Sequence, residues 1–118
     1  MNQAFRRGLI AIPVILLVIQ LVPVNRSNPP VTGDVPAPEN VRTVLRRACY
    51  DCHSNETTWP WYSRVAPVSW LTARDVHQGR KELNYSEWNL LDAQRQAKKF
   101  KESWDEVADG DMGVNPLG

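Results

Sequence analysis

The chain has almost no excess of charge of either sign. Its 118 residues include 14 Lys and Arg against 13 Asp and Glu, a formal net charge of +1. Two of the cations, Arg6 and Arg7, precede an apolar run, so the remainder carries 12 cations against 13 anions. Proteins that bind nucleic acid present a basic surface to the phosphates. We therefore expect no nucleic-acid partner.

The sequence also lacks the strict alternation of apolar and polar residues that predicts β-strands. Apolar residues instead recur at three- and four-residue spacing over residues 39–53. A second helix is expected over residues 67–79, with its final glycine as the stop, because proline suits a first turn and glycine a C-terminus. Asn84 or Ser86 would cap a third helix that stops at Gly110. These patterns predict an all-α fold.

One apolar run near the N-terminus lacks charge altogether. As a helix, the 17 residues of GLIAIPVILLVIQLVPV (residues 8–24) would span roughly 26 Å, slightly less than a hydrocarbon core of about 30 Å. The preceding arginines, Arg6 and Arg7, should stay in the cytoplasm, which places the chain from Asn25 onward outside. A cleaved signal peptide is the alternative, but no small-x-small cleavage site follows Val24. We expect a single-pass inner-membrane anchor with the C-terminal domain facing the periplasm or exterior.

Composition divides the chain into three parts. Residues 1–24 form the predicted transmembrane helix, and residues 25–38 hold four prolines and one glycine, which is typical of an extended linker. Residues 39–118 form the helical domain. Three short helices make a small core, and a domain of this size usually needs a disulfide, a metal or a large cofactor to stabilise it.

The chain has only two cysteines and two histidines, and three of these four residues lie within one pentapeptide, Cys49-Tyr50-Asp51-Cys52-His53. Cys-x-x-Cys-His is the attachment signature of c-type haem. Each thiol adds across one haem vinyl group to form a thioether, and the neighbouring imidazole ligates the iron. The motif predicts one covalent haem c per chain, bound through Cys49, Cys52 and His53, with His53 as the proximal ligand.

Three other uses of the cysteine pair fit the sequence less well. A disulfide that closes so short a loop restrains little chain. A thioredoxin-like redox pair belongs in a βαβ setting, which the helical pattern does not provide. A structural zinc site needs a fourth thiolate or a pair of histidines at finger spacing.

The sequence around the motif is similar to a known family. The similar stretches are CYDCHSNETTWPWYSRVAPVSW (residues 49–70), GRKELNYSEW (residues 79–88) and QLVPVNRSNPP (residues 20–30). They resemble the bacterial haem-binding domain family, small exported proteins with one Cys-x-x-Cys-His site. The resemblance covers nearly the whole chain and implies a small cytochrome c-like helical domain around one haem, with His53 as proximal ligand.

The resemblance also suggests a second axial ligand. In the similar family a Gly-Glu-Met-Pro turn follows the last long helix, and its methionine looks like the distal ligand. This chain has Gly110-Asp111-Met112-Gly113, which departs from the pattern at Gly113. We take Met112 as the candidate iron ligand, with His77 or an open iron face as alternatives. Met112 could also be an ordinary packing residue, and His77 a surface histidine.

Two of the five tryptophans, Trp59 and Trp61, follow closely on the motif. Large aromatic side chains commonly fill small cores. Beside a haem they would also wall the cofactor and exclude water, which raises the reduction potential of the iron. We expect Trp59 and Trp61 to be wall residues, a role that is compatible with core packing.

These features favour single-electron transfer by a membrane-tethered mono-haem cytochrome over an enzyme. The alternative is a haem-based small-ligand sensor or peroxidase, in which an open iron face binds peroxide or a small gas. A haem-free thiol–disulfide protein is the third class. The distal ligand separates the first two classes, and haem content separates the third.

If Met112 binds the iron, the ferric protein should show the charge-transfer band typical of thioether ligation, because haem spectra report the axial ligand. The band should vanish in Met112→Ala, and the reduction potential should fall. A ferric spectrum that is unchanged in Met112→Ala but altered in His77→Ala would assign the site to His77 instead. A high-spin ferric protein that takes up cyanide or azide readily would indicate an open iron face.

Overall fold

The structure, a computed structural model, describes residues 1–110 of the chain. This part contains five α-helices: α1 (Gln3–Val18), α2 (Glu39–Ala48), α3 (Tyr50–His53), α4 (Val68–Glu82) and α5 (Ala93–Ala108). Short 3-10 helices cover Ile19–Leu21, Trp61–Arg64 and Tyr85–Leu90. No strand occurs within residues 1–110. The all-α prediction is confirmed, with the helical domain preceded by one apolar helix.

Helix α1 and the turn that follows it form a candidate membrane span, Gln3–Leu21, with a mean hydropathy of 1.9. The side chain of Asn2 caps the helix by accepting from the backbone N–H of Phe5 (2.9 Å). None of the α1 residues is buried against the rest of the protein. This helix is therefore long and apolar enough to cross a membrane. A signal sequence meets the same two criteria.

The expected single helix over residues 39–53 is wrong in one respect, because the chain bends at Cys49. That residue ends α2 and precedes α3, with φ −122° and ψ −31°. Its backbone N–H still donates to the carbonyl of Leu45 (2.8 Å), so the last turn of α2 is intact. The bend lets α3 take its own direction and pack against α4, which is its main neighbour.

The prediction that Gly79 ends the second helix is also wrong. The N–H of Leu83 donates to the carbonyl of Gly79 (2.9 Å), and α4 continues to Glu82. The glycine is needed for packing instead. The inner face of α4 is built from small side chains, Ser69, Thr72, Ala73 and Val76, which let neighbouring backbone come close.

The expected third helix is two helices. Asn84 caps the 3-10 helix Tyr85–Leu90, its side chain accepting from the N–H of Ser86 (3.0 Å). Asp92 is the cap of α5, accepting from the N–H of Arg95 (2.8 Å). The predicted stop at Gly110 agrees with the structure, since this glycine has a φ of +76° that other residues rarely adopt.

The main cluster of the core is an aromatic stack with one aliphatic residue: Val35, Tyr50, Tyr85 and Trp88. The rings of Tyr50 and Tyr85 stack with centroids 5.1 Å apart, and those of Tyr85 and Trp88 are 6.0 Å apart. Phe100 attaches α5 to this stack, with its ring centroid 4.6 Å from that of Trp88. Neither α2 nor α5 has a buried residue of its own.

The proline-rich segment, residues 25–38, has no helix and lies along the helical domain. Val35 is fully buried in the core. The backbone N–H groups of Thr32 and Gly33 both donate to the carbonyl of Ser86 (3.0 and 2.9 Å). The segment is therefore extended, as its composition indicates, but it is bound to the domain as a strap.

Trp88→Ala should destabilise the full chain by about 3–5 kcal/mol, because Trp88 is 2% exposed and joins the stack to α5. Urea unfolding in detergent, followed by circular dichroism, would measure this. Trp61→Ala is the matched control, since Trp61 is 76% exposed and its loss should change stability by less than about 0.5 kcal/mol. Equal losses in the two variants would contradict the packing described here.

Candidate functional site

The structure brings the three motif residues together on one turn of chain. Cys49 occupies the bend between α2 and α3, and Cys52 and His53 lie on α3. All three side chains are partly buried, and both cysteines are free thiols. Cys49 also packs against the aromatic core. The site is thus a short rigid segment fixed to the core at one end.

The environment keeps both cysteines protonated. Burial raises the pKa of the Cys49 thiol above its usual value. Burial, together with the carboxylates of Asp75 and Asp51, raises the pKa of the Cys52 thiol to about 11. Reactive redox cysteines have a lowered pKa. The thioredoxin-like alternative is therefore disfavoured by the electrostatics as well as by the fold.

The imidazole of His53 is held by two backbone carbonyls. Its Nδ1 lies 2.9 Å from the carbonyl oxygen of Gly79 and 3.0 Å from that of Leu83. A carbonyl oxygen can only accept, so Nδ1 carries the hydrogen and donates it. In the neutral ring Nε2 then bears the lone pair that a metal requires. The end of α4 thus fixes both the tautomer and the orientation of His53.

This arrangement depends on the missing side chain of Gly79. A Cβ at this position would lie 2.3 Å from the carbonyl oxygen of Cys52 and 3.2 Å from the Cβ of Cys52. Both distances are closer than ordinary contacts, and the nearer atom is backbone that cannot swing aside. The glycine therefore allows α4 to approach α3 closely enough for its carbonyl to reach His53.

Tyr50, between the two cysteines, fixes the other side of α3. Its ring stacks on Tyr85, and its hydroxyl donates to the carboxylate of Asp34, which also pairs with Arg46 (2.9 Å). Burial raises the pKa of Asp34, but hydrogen bonds from Tyr50 and from the Val35 backbone, with the charge of Arg46, outweigh it and hold that pKa below its usual value. This role of Tyr50 was not predicted from the sequence, although its position inside the motif is a signal that could have suggested it.

Arg80 fastens the loop after α3 to the strap. Its guanidinium donates to the carbonyls of Ser54 (2.7 Å) and Ser27 (2.9 Å). It also donates to the side-chain oxygens of Thr57 and Asn28, both at 2.9 Å. A guanidinium can serve several acceptors because its five donors diverge from one plane. No sequence pattern pointed to Arg80, since its partners come from distant parts of the chain.

The predicted wall residues lie close to the site in sequence but are not part of the aromatic core. The indole N–H of Trp59 donates to the side chain of Asn28 in the strap (3.2 Å). Trp61 is largely exposed, with its ring edge-on to that of Tyr62. The tryptophan buried in the core is Trp88. A role of Trp59 and Trp61 as haem wall residues stays a prediction.

Of the two candidates for the distal iron ligand, His77 lies within the described residues and Met112 lies outside them. His77 lies on α4, and its Nε2 is 3.0 Å from the carbonyl oxygen of Asn25, to which it must donate. Its Nε2 is therefore committed to the strap in this conformation. Met112 lies outside the described residues, so its role as a ligand stays a prediction.

Exposed apolar side chains on α2 and α5 are available to pack against a large, mainly apolar cofactor. Helix α2, which ends at Cys49, exposes Val41 and Val44, and α5 exposes an apolar stripe at helical spacing: Phe100, Trp104 and Val107. Trp88 buries its indole N–H without an acceptor among the described residues. An unmet buried donor costs about 1–3 kcal/mol, and an acceptor carried by a bound cofactor would remove that cost. The residues present therefore fit a haem.

The fold and the site define an all-helical domain with an oriented histidine and two protonated thiols on one turn. Comparison with protein families gives a match to the haem-binding domain over residues 14–116. Because this match spans most of the chain, the chain belongs to the haem-binding domain family. No curated protein and no solved structure matches it.

Gly79→Ala should destabilise the chain, although Gly-to-Ala inside a helix ordinarily stabilises by about 1 kcal/mol. The added Cβ forces α4 away from α3, and His53 loses its acceptors. We expect a lower free energy of unfolding and, by ¹⁵N NMR of the haem-free chain, a weaker preference for hydrogen on Nδ1. Gly8→Ala, where a Cβ meets nothing within 4 Å, should leave the His53 signal unchanged. An unaltered His53 signal in Gly79→Ala would contradict this account.

Proposed function

We propose that the chain binds one haem c covalently through Cys49 and Cys52, with His53 as the proximal iron ligand. The observation that carries the proposal is the state of His53, whose Nδ1 is engaged by two carbonyls while Nε2 is left for a metal. Two free, protonated thiols lie beside it at the required spacing. Family membership supports haem as the cofactor.

We further propose that the protein carries single electrons. Bound haem supplies exchange of one electron between ferric and ferrous iron. The residues of this chain orient the imidazole of His53 and limit its movement. Hydrogen bonding of Nδ1 to the carbonyls of Gly79 and Leu83 makes the imidazole more basic, which favours the ferric state and lowers the reduction potential. The fixed position of α3 keeps the structural change between the two oxidation states small.

The same proposal places the domain outside the cytoplasm, tethered by α1. The candidate span Gln3–Leu21 has 19 residues, which as a helix cover roughly the thickness of a hydrocarbon core. Arg6 and Arg7 lie at its N-terminal end and favour a cytoplasmic start. Attachment of haem to c-type cytochromes outside the bacterial cytoplasm is consistent with this topology.

Single cysteine variants test the attachment. In cells with haem-attachment machinery, the wild-type chain should give a pyridine haemochrome spectrum with both vinyl groups saturated. Cys49→Ala and Cys52→Ala should each retain one thioether, so the spectrum shifts to longer wavelength. Ser103→Ala, on α5 and outside the motif, should give the wild-type spectrum. A wild-type spectrum of unmodified protohaem would refute covalent binding.

A reporter fused after Gly118 tests the topology. An enzyme that is active only outside the cytoplasm should be active in this fusion, because Arg6 and Arg7 hold the start of the chain inside. The protein should fractionate with membranes. Replacing both arginines by Glu should reduce the exported fraction. A soluble mature protein that begins near Asn25 would show that α1 is a cleaved signal sequence.

A further inference from the structure

A group of large apolar side chains is exposed on one continuous piece of the domain. It begins at the 3-10 helix Trp61–Arg64 and ends in the first turn of α4. We call it the apolar shelf; its members are Trp61, Val65, Val68, Trp70 and Leu71. Scattered apolar residues on a surface need no explanation, whereas contiguous ones usually mark a binding surface.

The first two turns of α4 bury small polar residues and expose large apolar ones. A surface helix of a soluble protein shows the opposite pattern. In α4 the polar residues Ser69 and Thr72 are buried, with 3% and 7% of their surface exposed. Leu71 is 58% exposed. The buried polar groups find partners, since the hydroxyl of Thr72 donates to the carbonyl of Ser69 (3.1 Å). The outward apolar residues do not contribute to this packing, so folding of the domain alone does not explain them.

The apolar shelf is joined directly to the end of the candidate membrane helix. The side-chain amide of Gln20 donates to the carbonyl of Ala66 (3.0 Å) and accepts from its N–H (2.9 Å). Arg26 donates to the carbonyl of Ser63 (3.2 Å). Gln20 is in the last turn of the span, so these bonds hold the shelf at the level where the chain leaves the membrane.

The charge of this piece of chain also suits a lipid surface. From Thr57 to Arg74 there is no Asp or Glu, and the charged residues are Arg64 and Arg74. Arginine side chains near an apolar surface reach toward headgroups with their charged ends, and basic residues are attracted to anionic lipids. Tryptophan is enriched at the membrane–water interface because its ring is apolar and its N–H is polar.

We propose that the apolar shelf lies in the headgroup region of the same membrane that α1 crosses. The domain is then seated on the outer face of the bilayer in one orientation, instead of moving at the end of a flexible tether. The hydrogen bonds of Gln20 fix its height, and Trp61, Trp70 and Leu71 enter the interface. For Trp61 this placement is an alternative to the haem-wall role expected from the sequence. This inference rests on the proposed anchor, and the experiment below tests the two separately.

Photo-crosslinking in lipid vesicles tests whether the apolar shelf lies in the headgroup region. Full-length, haem-loaded protein carrying p-benzoylphenylalanine at one position is reconstituted into phosphatidylcholine–phosphatidylglycerol vesicles and irradiated, and the adducts are identified by intact mass. The shelf probe replaces Trp61. The control probe replaces Leu90, the last residue of the 3-10 helix Tyr85–Leu90, which is also an exposed apolar residue, 65% against 76% for Trp61. A probe at Leu16 in α1 reports the anchor.

Lipid adducts at positions 16 and 61, with few or none at 90, would support the placement of the apolar shelf in the headgroup region. Adducts at 16 alone would overturn that placement and leave the anchor intact. Adducts at neither 16 nor 61 would refute the anchor itself. Equal adducts at 61 and 90 would indicate unspecific surface contact, and a crosslinked dimer at 61 would assign the apolar shelf to a second copy of the chain. Both of these last results would overturn the proposal.

Discussion

The close approach of α3 and α4 is the constraint on which the site depends. At Gly79 the two backbones meet so closely that a single methyl group would collide with the carbonyl of Cys52. This contact brings the carbonyls of Gly79 and Leu83 within hydrogen-bond distance of His53. Small buried side chains line the rest of the inner face of α4, which packs against α3 and against the 3-10 helix Trp61–Arg64. The chemistry of the histidine is therefore set by backbone geometry, which a side-chain substitution elsewhere on α4 would disturb only indirectly.

The helical domain is incompletely packed in a way that a haem would complete. Seven apolar residues are buried among residues 1–110, and four of them form the aromatic cluster. Helices α2 and α5 have no fully buried residue, and α5 is held mainly by Trp88 and its neighbours. A domain this small seldom folds stably on such a core. Haem held at the motif would bring a large apolar group to this small core. Because such a group binds the folded chain, it would add to the stability of the folded domain.

The sequence was sufficient for the features that depend on local chemistry. The apolar N-terminal helix, the all-α fold and the stop at Gly110 follow from residue type and spacing. The sequence was insufficient where contacts between distant parts of the chain determine the local structure. A glycine is read as a helix stop by propensity, but the contact with Cys52 keeps Gly79 inside α4. The strap was predicted as a linker because prolines favour extended chain, and its hydrogen bonds to Ser86 and Arg80 come from residues about 50 positions away. The contacts of Tyr50 and Arg80 were not predicted because their partners are also distant in the sequence.

Intact mass spectrometry under denaturing conditions tests the central claim most directly. Protein purified from cells that attach haem should unfold in acid and organic solvent and still carry the mass of one haem per chain, because thioether bonds survive conditions that break iron ligation. The Cys49→Ala, Cys52→Ala double variant should show the mass of the bare chain. A wild-type chain that releases its haem on denaturation would contradict the account, since the haem would then be held by ligation and packing alone.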